Sequence, residues 1–172
     1  RYLPGSSEFL SAFNKSINDP DLTTGSKFQD ASKYYHADGN YNFGHLTDAV
    51  EIQVGGSFRL YSLNSGGTIY TDKGGPIEYS EFGVYTQLQK NIELSADAKL
   101  KLTGSVRYDK SEFFDGFFSP RFSAGVTVNR NHNFRASAQT GFRNPTTQDL
   151  FIGLDAGRAL LVGSAPDNLE RY

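Results

Sequence analysis

Apolar and polar residues alternate with a period of two through at least six successive segments of the chain. The clearest segment runs from Val50 to Ser62. Val50, Ile52, Val54, Gly56, Phe58 and Leu60 occupy one phase; Glu51, Gln53, Gly55, Ser57, Arg59 and Tyr61 occupy the other. Successive side chains of a strand point to opposite faces, so this segment predicts a strand over about 49–63 with one apolar and one wet face. The same rhythm predicts strands over about 32–43, 77–90, 98–110, 118–128 and 134–143. Their apolar rows include Tyr35 to Phe43, then Phe82, Val84 and Leu88, then Leu100, Leu102 and Val106. Phe118, Phe122 and Val126, and finally Phe134, Ala136 and Phe142, continue the pattern.

The spacing between these strands points to an architecture. Connections after the first, third and fifth strands read as about five to seven residues, whereas those after the second, fourth and sixth are longer and variable. Each strand is about 10–15 residues, longer than the roughly 5–6 common in soluble sheets and long enough to cross a bilayer at a tilt. Aromatics gather toward strand ends, where rings can meet both lipid and headgroup. The expected fold class is therefore all-β: an antiparallel up-and-down meander of about six long strands, forming a segment of a transmembrane β-barrel. A soluble β-sandwich also alternates, but its inner faces carry more Val, Ile and Leu than the Gly and Ala seen here. Six strands do not close a membrane barrel, which takes about eight or more.

Outside the strands, residues 1–30 read as an irregular outer loop with turn signals at Pro4-Gly5, Asp19-Pro20 and Thr24-Gly25. Phe9, Leu10, Phe13 and Ile17 also share one helical face, so a short helix over Glu8 to Ile17 is the competing reading. Residues 31–143 carry the six barrel strands, and 144–172 read as another outer loop, all within one partial barrel domain.

Composition narrows the classes further. Hydrophobic residues make up 37 % of the 172, yet there are 14 Phe and 10 Tyr, which suits a sheet with a single apolar face. A net charge of −2 supplies no basic field for nucleic acid. Cysteine is absent, which removes disulfides and thiolate metal sites. No run approaches the roughly 18 apolar residues of a membrane helix, a test that strands escape. The chain starts at Arg1 without a signal peptide and reads as an excerpt of something longer.

Several stretches then become specific. Glu81-Phe82-Gly83-Val84-Tyr85-Thr86-Gln87-Leu88 and Leu100-Lys101-Leu102-Thr103-Gly104-Ser105-Val106-Arg107-Tyr108-Asp109 are followed by Phe118-Ser119-Pro120-Arg121-Phe122-Ser123-Ala124. Thr140-Gly141-Phe142-Arg143-Asn144-Pro145-Thr146-Thr147-Gln148-Asp149-Leu150 is the most diagnostic run. Over about 78–152 the chain resembles the TonB-dependent outer-membrane receptors. The resemblance implies a barrel of about 22 strands plugged by a globular domain. It further implies a bacterial outer-membrane location and contact with lipid. A TonB complex would drive active uptake of a scarce nutrient such as a siderophore, vitamin, glycan or peptide. Plug, TonB-contacting segment and closing strands are not recognisable in the chain. Two other functions fit the strand pattern without the resemblance: a small non-transporting outer-membrane barrel or adhesin, and a soluble all-β carbohydrate-binding module.

Candidate functional residues are few, and no catalytic constellation or cofactor site emerges. His36, His45 and His132 fall on separate elements without ligand spacing, so no metal site is expected. Hairpin arithmetic on the polar rows pairs Glu81 with Arg107 and Arg107 with Arg121, and brings Arg143 near Ser119. Charges opposite one another on a sheet face interact, so Glu81, Arg107, Asp109, Arg121 and Arg143 form the expected lumen-facing charge network. Its ordinary role would be to hold the wall and meet the plug. Among loops, the Phe113, Phe114 and Phe117 cluster is the candidate for stacking on a ligand.

Overall fold

A computed structural model describes residues 2–21, 23–129 and 131–171. Its main element is a six-stranded sheet whose strands lie in chain order: β1 (Lys33–Asn42), β2 (Glu51–Leu63), β3 (Ile77–Ser95), β4 (Ala98–Ser111), β5 (Phe117–Val128) and β6 (His132–Gln139). The sheet is open, with β1 and β6 at its edges. The meander expected from the period-two pattern is thus the observed fold.

Register joins the separate apolar rows into one surface. Val84 stands opposite Tyr108, Thr86 opposite Val106, and Leu88 opposite Gly104. Leu100, Leu102 and Gly104 then meet Val126, Ala124 and Phe122 on β5. Those three meet Phe134, Ala136 and Ala138 on β6. A slip of one residue would have put polar residues into this surface. The surface is also uncovered: Val84 is 50 % exposed and Phe134 67 %. Val54 and Val106 are exposed as well. Leu102 and Val126 are half-buried by their neighbours. A water-soluble fold rarely leaves so large a continuous apolar face bare.

Strand ends depart from the pattern in two places. β3 was expected to stop near residue 90, yet it runs to Ser95 because Asn91, Ile92 and Glu93 keep pairing with Lys101, Leu100 and Lys99. The Lys99 ammonium reaches the Glu93 carboxylate at 3.0 Å, and residues 96–97 alone make the turn. β6 was expected over 134–143 but covers His132–Gln139. The reason lies on β5. Thr140 donates its N–H to the Pro120 carbonyl at 3.1 Å, but Pro120 has no N–H to return, so the pair makes one of its two bonds and the ladder ends. The expected turn over 129–133 includes Arg130, which lies outside the described residues; Asn129 adopts a left-handed conformation there (φ 52°), which Asn tolerates better than most residues.

The chain divides into two compact units. Tyr35–Leu60 and Ser80–Asn144 make the first, which holds most of the sheet. Residues up to Tyr34, Tyr61–Tyr79 and those from Pro145 on make the second. It contains helix α1 (Ser7–Asn18), where Ser6 caps the N-terminus by accepting from the Phe9 N–H at 3.2 Å. The helix alternative over 8–17 is therefore the one formed. Residues 144–172, read as loop from sequence, also carry α2 (Thr147–Phe151), a hairpin of β7 (Gly153–Asp155) and β8 (Leu160–Val162), and α3 (Asn168–Arg171). Elements of three to five residues are too short to leave a period in sequence. Thr146 and Asp149 do form a capping box at α2, the one local signal that was present.

This second unit has a small core of its own. Leu63, Ile77, Tyr79, Leu150, Phe151 and Ala165 are buried. Tyr79 stacks on Tyr61 with centroids 4.6 Å apart and meets Phe151 at 5.4 Å. The buried Asp72 carboxylate organises the loop between β2 and β3. It accepts from the Ser65 N–H, from Ser65 Oγ at 2.6 Å and from the Gly67 N–H at 2.7 Å. Buried Asn168 accepts from Thr71 Oγ1 at 2.7 Å and donates to the Leu150 carbonyl, tying this loop to the C-terminal segment.

Candidate functional site

The face opposite the apolar surface carries the polar chemistry. Odd-numbered positions of β3 to β5 share it: Asp109 lies opposite Gly83, Arg107 opposite Tyr85 and Ser119, and Arg121 opposite Ser105 and Gln139. The registers therefore correct the hairpin arithmetic. The β4–β5 register sets Arg107 opposite Ser119 rather than Arg121, and Arg107 misses Glu81 because β3 and β4 turn at 96–97 rather than over 91–97. That tighter turn places Glu81 opposite Ser111.

Charge pairing on this face follows other routes. Arg107 donates from Nε to both Asp109 oxygens, at 2.9 and 2.8 Å, and its Nη2 lies 2.7 Å from Oδ1. Residues two apart on a strand share a face, which is what lets these side chains meet. The pair leans across β3, where Gly83 is buried and a Cβ would run into both the guanidinium and the carboxylate. A glycine at this position is what allows the close approach. Arg107 Nη2 reaches on to Ser57 Oγ on β2 at 3.3 Å. Glu81 meets Arg59 of β2 at 3.7 Å and accepts from Asn144 Nδ2 at 3.2 Å. Arg121 is exposed on the polar face. Arg143 lies beyond the last residue of β6 and is exposed.

The aromatic loop is divided between roles. Phe117 pairs with Asp109, so it projects on the polar face, and it stacks on Phe142 at 4.9 Å. Sequence had placed Phe142 in the outer apolar row; once the ladder ends at Thr140 the chain is free to turn that ring to the other side. Phe113 and Phe114 are half-buried, and the Phe114 carbonyl accepts from Lys110 Nζ at 2.7 Å. The cluster is thus not a single exposed aromatic tip. On the apolar face Phe82, Tyr108 and Phe118 form an aromatic row, with Tyr108 4.7 Å from Phe118.

His36 approaches Asp38 at 3.4 Å and His45 sits edge-on to Tyr41. No group of three metal-ligating side chains exists among the described residues. Sequence reasoning missed Ser57, Arg59 and Asn144 as partners of the charged residues, since hairpin arithmetic reaches only adjacent strands in a guessed register. The polar phase of β2 had offered Ser57 and Arg59 as a signal.

The family model for the β-barrel of TonB dependent receptor-like proteins matches residues 2–170. The chain belongs to this family. It is also similar to the vitamin B12 transporter BtuB of Vibrio vulnificus (strain CMCP6), with 28 % identity over 107 residues. That match covers 61 % of the chain and 17 % of the transporter, so the chain spans well under two thirds of the length of this curated relative. No solved structure matches it. For a TonB-dependent receptor barrel, a bare apolar face on one side of the sheet and a hydrogen-bonded polar face on the other are what lipid and a water-filled interior require.

Proposed function

We propose that this chain is a stretch of barrel wall in a Gram-negative outer-membrane receptor that imports a scarce nutrient with energy delivered through TonB. The observation that carries the reading is the continuous apolar surface in register across β3 to β6, with exposed Phe82, Val84, Val106, Phe122 and Phe134. In hydrocarbon such a surface is stabilised, whereas open strand edges cost on the order of several kcal/mol per unsatisfied backbone group. β1 and β6 would therefore pair with further strands of the same barrel. The polar face would line the lumen and meet a plug domain. The ordered segments around residues 64–76 and 144–171 would form outer-loop structure that ligand meets first.

The exposed apolar face weighs against a soluble carbohydrate-binding module. The vitamin B12 transporter makes a corrinoid the first nutrient to test; a siderophore, glycan or peptide follows if it fails. The test is uptake of labelled vitamin B12 by cells whose only outer-membrane route is the full-length receptor, with and without TonB. Uptake that requires both the receptor and TonB supports the reading. Uptake indifferent to TonB would point to a passive pore. Absence of uptake for every nutrient class, with the receptor folded in the outer membrane, would favour an adhesin.

A further inference from the structure

The polar face is electrically divided along the strands. Near the ends of β3 and β4 farther from the turn at 96–97, each cation has an acid: Arg107 with Asp109 and Arg59 with Glu81. Between these pairs and the Lys99–Glu93 pair beside the turn itself, the pairing stops. A cavity of about 370 Å³ over β3 to β6 is lined by Lys101, Arg121 and Arg135, and no Asp or Glu contributes to its wall. None of the three cations has an ion-pair partner among the described residues. This is unexpected in a chain with 19 acids against 17 Lys and Arg.

The register sharpens the geometry. Lys101 stands opposite Gly125, and Gly125 stands opposite Arg135. Two strand spacings separate the cations, roughly 10 Å between backbones, within reach of two long side chains converging on one group. A Cβ on Gly125 would meet only the Phe134 carbonyl, at 3.9 Å, so packing does not demand the glycine. Its effect is to leave the floor between the two cations open. Ser123 and Thr103, opposite one another and lining the same cavity, add hydroxyl donors. Cations and hydroxyls converging on a recess of this size suit a small oxyanion.

We propose that Lys101 and Arg135, with Gly125 as the floor between them and Arg121 alongside, form a binding site on the polar wall for a free phosphate- or carboxylate-bearing small molecule. The inference rests on the reading of this face as a lumen wall. It adds a site on that wall for an anionic passenger, below the neutralised pairs Arg107–Asp109 and Arg59–Glu81.

The test uses the full-length receptor in detergent micelles carrying a single cysteine, Ser123→Cys, with Gln53→Cys as the reference position on the same face. Negatively and positively charged methanethiosulfonates of equal size are compared. At Ser123→Cys the anionic reagent should be favoured about tenfold more than at Gln53→Cys, through the local field. Inorganic phosphate should slow modification there, with an affinity that falls about tenfold for each of Lys101→Gln and Arg135→Gln. Both side chains are exposed and unpaired, so the variants should keep the fold, as a heat-modifiability gel checks. Equal reagent preference at the two positions and indifference to phosphate would overturn the site while leaving the receptor reading intact. A low preference with a lower Tm in the double variant would assign the position to a carboxylate of the receptor itself and overturn the free-anion proposal. Failure of both reagents at Ser123→Cys, with reaction at Phe122→Cys, would overturn the lumen reading and the site together.

Discussion

Val106→Arg separates a lipid-facing row from a buried one more sharply than any other single change. Val106 lies near the middle of β4, between Thr86 on β3 and Pro120 on β5, with its side chain exposed. At a tilt of about 40° each residue climbs about 2.5 Å along the bilayer normal, so Val106 sits roughly 4 Å from the strand's midpoint. An arginine near mid-depth of a membrane barrel costs about 2–4 kcal/mol, and snorkelling across this strand does not reach either interface. Thr103→Arg, three residues earlier on the polar face, should cost under about 1 kcal/mol because water solvates it. The assay is a urea titration of the full-length receptor in lipid vesicles, with folded fraction read by heat modifiability. The expected gap between the two variants is on the order of 2 kcal/mol, or about thirtyfold in the folding equilibrium. Equal costs, or a greater cost for Thr103→Arg, would refute the assignment of faces.

Three further changes probe the local chemistry. Gly83→Ala should force Arg107 and Asp109 apart and destabilise the barrel by about 1–3 kcal/mol in the same titration; no change would mean the pair does not lean on β3. Asp72→Ala strips one carboxylate from several loop donors, at a cost of about 2–3 kcal/mol, and limited proteolysis should cut residues 64–76 first while the strands stay protected. Tyr79→Ala empties the stack between Tyr61 and Phe151 and should cost about 3–5 kcal/mol, read as faster hydrogen exchange in 61–79 and 145–171; unchanged exchange there would sink the idea of a packed unit.

Much of the sheet was legible because period-two alternation is a direct consequence of strand geometry. Phe82, Val84, Leu88, Leu100, Leu102 and Val106 could be sorted to one face before any pairing was known. Register was not legible to the same degree. Whether β3 turned over 91–97 or at 96–97 changed which residue faced Arg107, and only the continued pairing of Ile92 with Leu100 decides it. Pro120 held the information that β6 would end early, but reading it required knowing that its N–H side faces β6. The second unit was hidden for another reason. Its order comes from contacts far apart in sequence, such as Thr71 with Asn168, and from side chains bonding backbone around Asp72, neither of which leaves a periodic trace.

Spin-label accessibility along β4 in lipid vesicles reads the two environments most directly. Labels placed singly at residues 100 to 109 of the full-length receptor are exposed in turn to molecular oxygen, which partitions into lipid, and to a water-soluble nickel chelate. Even-numbered positions should favour oxygen and odd-numbered positions the chelate, with a period of two across the strand. Chelate contact on both phases, or protection of the even positions from both probes, would mean that Leu102 and Val106 face something other than hydrocarbon.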